Sequence, residues 1–153
     1  MSELTHFLKG VQERAGEKNA ETGALLKEWQ EAVSKLYNKI LVWLKEPEEQ
    51  GLVKVTRENI ETIEERFGKY DVEELELFFP GNKRVIFEPK ARFIVGGQGR
   101  VDVSNFQETL KLIRKSAAEG WFLVVSEFGK GTGLMLAEFD EKRFEYLLKE
   151  LLK

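Results

Sequence analysis

Two spacings of apolar residues divide the chain. In the first 46 residues the apolar positions recur every three or four residues, the period of a helix face. Leu4, Phe7, Leu8 and Val11 follow Ser2, whose side chain suits an N-cap, and Gly16 is a plausible stop for a first short helix. A second helix is expected from Asn19 or Ala20 to Lys45 or Glu46, just ahead of Pro47. It would be about 40 Å long at 1.5 Å per residue. Its stripe holds Leu25, Leu26, Trp29, Val33, Leu36, Tyr37, Ile40, Leu41, Trp43 and Leu44. A face that broad needs a cover, supplied by the rest of the chain, by another copy or by a partner.

Beyond Gly51 the period shortens to two, the signature of strands. Leu52, Val53 and Val55 open one, and Ile60, Thr62 and Phe67 continue it or belong to a helix over 56–66. Leu75, Leu77 and Phe79 form a clearer strand, and Pro80-Gly81-Asn82 supplies a hairpin turn of type II′. Val85–Phe87 return, ending at Pro89, and short strands are expected at 92–95 and 100–103. Residues 109–114 fit strand or helix. Trp121–Val125 is an unbroken apolar run expected as a central, fully buried strand. Gly129-Lys130-Gly131-Thr132-Gly133 would turn the chain into a partner strand over 134–139, and Asp140 would cap a last helix.

The expected fold is therefore α+β: N-terminal helices, one of them long, a mainly antiparallel sheet or small open β-barrel, and a C-terminal helix. The 153 residues suit a single domain, with 1–46 helical, 51–139 mostly β and 140–153 the closing helix.

Composition narrows the chemistry. The chain has no cysteine and one histidine, His6, which removes thiol nucleophiles, thiolate metal sites and most histidine-based catalysis. We therefore expect no enzyme activity and no cofactor or metal. A net charge of −3 provides no global field for a polyanion, so a nucleic-acid partner is not expected. There is no apolar run near the ~20 residues of a membrane span and no export signal, which points to a cytoplasmic setting without membrane attachment. Adjacent pairs such as Glu64-Glu65 and Glu73-Glu74 diverge on either kind of element and do not converge on one substrate.

Charge is distributed unevenly. Residues 47–80 carry ten acids against four bases, whereas 81–104 carry five bases against two acids. The basic block contains Gly96-Gly97-Gln98-Gly99, whose unobstructed amides suggest a small anion nest formed by Lys90, Arg92, Gly97, Gly99 and Arg100. The competing reading is a tight turn, with Arg100 and Asp102 paired along one strand face. The run lacks a dinucleotide fingerprint, and 129–133 lacks the spacing of a phosphate loop.

The favoured functional expectation is a non-catalytic interaction or self-assembling module. Its interface would use Trp29, Val33, Leu36, Tyr37, Ile40 and Trp43, with a homodimer or another protein as partner. The alternative is a binder of a small anion or nucleic-acid backbone at residues 90–100.

Finally, Ile63-Glu64-Glu65-Arg66-Phe67-Gly68-Lys69-Tyr70 followed by Phe93-Ile94-Val95-Gly96-Gly97-Gln98-Gly99-Arg100-Val101-Asp102 resembles a pattern in a family of uncharacterised bacterial proteins. The resemblance implies no activity. It implies extended structure over 60–67 and a structural role for Arg100 and Asp102.

Overall fold

The computed structural model describes residues 2–127 and 134–153; the turn expected at 129–133 lies outside them. The elements are α1 (Glu3–Trp43), α2 (Lys45–Glu49), β1 (Lys54–Glu64), β2 (Gly68–Phe79), β3 (Lys83–Ala91), β4 (Arg100–Ser104), β5 (Thr109–Ser116), β6 (Gly120–Glu127), β7 (Leu134–Glu138) and α3 (Glu141–Leu151). The strands form one antiparallel meander in chain order, open between β1 and β7. This is the α+β architecture expected from the sequence.

The register explains where the core lies. Val55, Leu77 and Val85 stand side by side, as do Leu75, Phe87 and Val103, and then Val101, Leu112 and Leu123. These rows share one face of the sheet, and all but the half-buried Val55 are buried. Across that face lie Trp29, Val33, Leu36, Tyr37 and Ile40 of α1, and Phe144, Leu147 and Leu151 of α3. Trp43 closes the margin, its ring 5.7 Å from that of Phe139 and 5.5 Å from that of Phe144.

Polar bonds fix α1 to the sheet. The Tyr37 hydroxyl donates to the Glu73 carbonyl at 2.8 Å and the Phe87 carbonyl at 3.2 Å, where β2–β3 pairing ends. Arg57 of β1 donates to Glu73 at 2.7 Å, to Asn38 Oδ1 at 2.7 Å and to Ser34 Oγ at 3.1 Å.

Several expected boundaries are corrected. Gly16 does not end a helix: α1 runs through it for 41 residues. A single glycine costs a helix only about 1 kcal/mol relative to alanine, which its neighbours absorb. The break instead falls at Leu44, and Pro47 is the third residue of α2. Proline is tolerated there because first-turn N–H groups have no intrahelical acceptor. Residues 92–95 form no sheet strand, making only an Ile94–Gly97 bridge. β3 passes through Pro89 to Ala91 with a bulge, which accommodates the missing donor. The Pro80–Asn82 turn has positive φ at both Gly81 and Asn82, unlike type II′. Residues 60–64 and 109–116 are strands. β6 is second from the edge, so Trp121–Val125 is not a central buried strand: Leu123 faces the core while Val125 is exposed.

Candidate functional site

Two features stand apart from an otherwise ordinary core. One is a cluster of charges buried beneath α1. The other is the N-terminal half of α1, which the sheet does not cover.

The cluster begins with β5. Leu110, Leu112 and Arg114 alternate on the inward face, so a guanidinium occupies a position the pattern reserves for a core residue. Arg114 is buried, and its charge is fully used. It donates to Glu28 of α1 at 2.5 and 2.6 Å in a bidentate pair, and to the Gln98 carbonyl at 3.2 and 3.1 Å. The Arg114 hydrogen bonds hold the Glu28 carboxyl below the usual carboxylate range despite the opposing effect of burial.

The glycine segment packs against this pair. The Gln98 amide donates to the Arg114 carbonyl at 2.7 Å, and the Arg114 amide to the Gly99 carbonyl at 2.9 Å. A Cβ on Gly97 would lie 2.7 Å from the Arg114 carbonyl oxygen. One on Gly99, whose φ is +152°, would lie 2.2 Å from the Trp29 ring. These glycines allow close approach of backbone to core.

Arg92 approaches from the other side. Its side chain is only 10% exposed, and Nε lies 3.9 Å from Glu28 Oε1, beyond hydrogen-bond distance. Nε has no partner, and the guanidinium stands 5.3 Å from the centre of the Phe93 ring. Glu64 anchors the adjoining backbone by accepting from the Arg92 amide at 2.8 Å and the Phe93 amide at 3.3 Å. It also accepts from the Tyr70 hydroxyl at 2.5 Å. Burial and that carboxylate raise the Tyr70 pKa. The Trp29 indole N–H exerts a weaker opposite pull but does not complete a hydrogen bond.

The residues expected to form an anion nest make contacts of their own. Lys90 pairs with Glu88 at 2.6 Å, and Arg100 forks onto Asp102 at 2.7 and 2.9 Å, the i, i+2 pairing read from the sequence. Gly97 and Gly99 pack on Arg114 and Trp29, leaving Arg92 as the buried cation of the set. The sequence reading missed Glu28, Glu64, Tyr70 and Arg114. The signal for Arg114 was a charge in phase with Leu110 and Leu112.

The expected interface is also redistributed. Trp29, Val33, Leu36, Tyr37 and Ile40 are covered by the chain's own sheet, and Trp43 is half-buried between Phe139 and Phe144. They are core residues in the protomer, because the sheet's apolar face needs that cover. The large apolar residues left exposed on α1 are Leu4, Phe7, Leu8 and Val11 near its start and Val42 near its end. At 3.6 residues per turn the first four lie on the same face as Trp29 and Val33. The N-terminal arm therefore carries a separate exposed apolar patch on that face, divided from Leu25 and Leu26 by Ala15, Lys18 and Thr22.

A cleft of about 400 Å³ runs between α1 and the β5–β6 turn, lined by Glu28, Glu31, Lys35, Lys39, Arg114 and Trp121, among others. Its charges are of both signs. No group of three or more metal-ligating side chains occurs among the described residues, and no described helix is long and apolar enough to cross a membrane. Comparison with protein-family models, curated proteins and solved structures finds no match.

Proposed function

We propose that this chain is a non-catalytic, cytoplasmic interaction module that pairs with a second copy of itself through the N-terminal arm of α1. The carrying observation is the uncovered stripe of Leu4, Phe7, Leu8 and Val11 on a helix that extends past its own core. From Glu3 to Gly23 no residue is buried.

Most helical stability in a protein comes from packing of an amphipathic face, which this arm lacks within the protomer, and the arm also contains Gly10, Gly16 and Gly23. Neither Gly16 nor Gly23 has any neighbour that would exclude a Cβ, so packing within the protomer does not require them. Burial of the apolar stripe against another surface would supply the missing stabilisation.

Charge favours a second copy as the occupant. Glu3, Glu13, Glu17 and Glu21 are interspersed with Lys9, Arg14 and Lys18. A mixed-sign helix suits another mixed-sign helix and gives little attraction to an anionic membrane or nucleic acid. In an antiparallel pair, Leu4 would face Val11 and Phe7 would face Leu8, a self-complementary arrangement about a two-fold axis. The chain contains no cysteine.

That absence also provides a test. Leu8→Cys introduces the sole thiol of the chain. Under mild oxidation it should give a disulfide-linked dimer, whereas Glu145→Cys on the exposed side of α3 should not. Equal trapping at both positions, or none at Leu8→Cys, contradicts self-pairing. Trapping of other proteins alone would assign the arm to a different partner.

A further inference from the structure

The sheet ends in two open edges. β7 offers five residues, whereas β1 offers eleven, Lys54–Glu64, paired on one side to β2 alone. Among the described residues, no other backbone segment bonds to the N–H and C=O groups on its free side. Such a row is a template for a further strand unless something guards it. Lys54, Arg57, Glu58 and Glu61 are guards of the usual kind, since charge on an edge discourages a passing strand.

Against one particular strand those charges do the opposite. Turned antiparallel to its own copy about a two-fold axis at Asn59, β1 sets Lys54 opposite Glu64, Val55 opposite Ile63, Thr56 opposite Thr62 and Arg57 opposite Glu61. Glu58 falls opposite Ile60. Opposite charges, β-branched pairs and paired threonines are the cross-strand combinations that stabilise a sheet. No like charges meet directly; Glu58 approaches Glu58 of the other copy only on the diagonal. The members of every pair are an even number of residues apart, so their backbone groups face the same side and the ladder can close. The guards repel a generic strand and accept a second copy of this one.

Exposed apolar side chains border the same edge. Ile63 lies on β1, and Leu52 two residues before it. Val42 is one turn beyond Asn38 of α1, whose side chain accepts from Arg57 of β1. We propose that β1 pairs antiparallel with β1 of a second copy about a two-fold axis at Asn59, joining two seven-stranded sheets into one. Val55 of each copy then lies against the exposed Ile63 of the other. The contact is separate from the arm and does not rest on arm pairing. A single charged edge with little apolar area falls short of a standard interface, so it forms in concentrated solution and dissociates at the dilution of a sizing column.

The test uses the full chain carrying Leu4→Asp/Phe7→Asp, which disables the arm, and adds one cysteine to a sequence that has none. Asn59→Cys places both thiols at the axis, where opposed Cα atoms stand about 4.5–5.5 Å apart, within disulfide reach. Glu61→Cys lies two positions off the axis, which separates the two thiols by four residues, roughly 13 Å. Under mild oxidation of concentrated protein, Asn59→Cys should give about tenfold more covalent dimer than Glu61→Cys. Adding Glu61→Lys, which sets like charges against Arg57, should suppress trapping at position 59 several-fold. Adding Glu58→Gln instead should increase it.

Hydrogen exchange reads the same contact without a cysteine. In the arm-disabled chain, alternate amides along β1, those on its free side, should exchange more slowly as protein concentration rises. Equal trapping at positions 59 and 61, no trapping at 59, or trapping indifferent to Glu61→Lys overturns the proposal. So does exchange along β1 that is independent of concentration. The arm is disabled throughout, so failure here leaves arm pairing standing.

Discussion

At Gly99 the whole side chain consists of a hydrogen because the Trp29 ring occupies the space a methyl group would need. Gly99→Ala should therefore cost about 2–4 kcal/mol, combining overpacking with strain at positive φ. Urea unfolding would read it as a lower midpoint. The carboxylates give a pH dependence whose sign follows from their environments. Arg114 depresses the Glu28 pKa and Arg57 that of Glu73. Their stabilisation is present above the ordinary carboxylate pKa and is lost as pH falls through the lower folded values. Glu74 is the reverse: burial, with Glu88, Glu76 and Glu58 nearby, raises its pKa. Its ionised form opposes folding, so Glu74→Gln should raise the melting temperature at pH 7 and have no effect below about pH 4, where both states are protonated. These residues were the hardest to read from sequence. Arg100–Asp102 was legible because i and i+2 share a strand face. Glu28–Arg114 joins positions 86 residues apart, which no local pattern brings together.

Among the elements, strands announced themselves through alternation and helices through the 3.6 period. Errors arose where a local breaker met a longer-range cause. Gly16 suggested a stop, yet no packed neighbour or turn-forming φ terminates α1 there. Residues 92–95 look like a strand, but Glu64 and the close packing at Gly97 direct them across the sheet end. The long helix was legible as an apolar stripe. Which part of it the sheet would cover depended on strand length and register, and so was not. Two outcomes follow for α1. Trp29→Ala should cost about 3–5 kcal/mol, as expected for loss of a fully buried large aromatic. Gly16→Ala should increase helical circular dichroism while leaving the midpoint of sheet unfolding nearly unchanged, since the arm makes little contact with the body.

The whole molecule is a seven-stranded antiparallel sheet with both long helices on one face, and its hydrophobic core is complete without the first 23 residues of the chain. The arm therefore adds apolar surface without contributing to that core. Such surface offers little benefit to a monomer and carries some risk of non-specific association. The proposed self-pairing would give it a defined occupant. The most direct measurement is the solution mass by light scattering on a sizing column, at low and high salt, for the full chain and for a Leu4→Asp/Phe7→Asp variant. The account predicts a salt-resistant dimer for the full chain and a folded monomer for the variant. A full chain that is monomeric at high concentration, or a variant that remains dimeric, contradicts it.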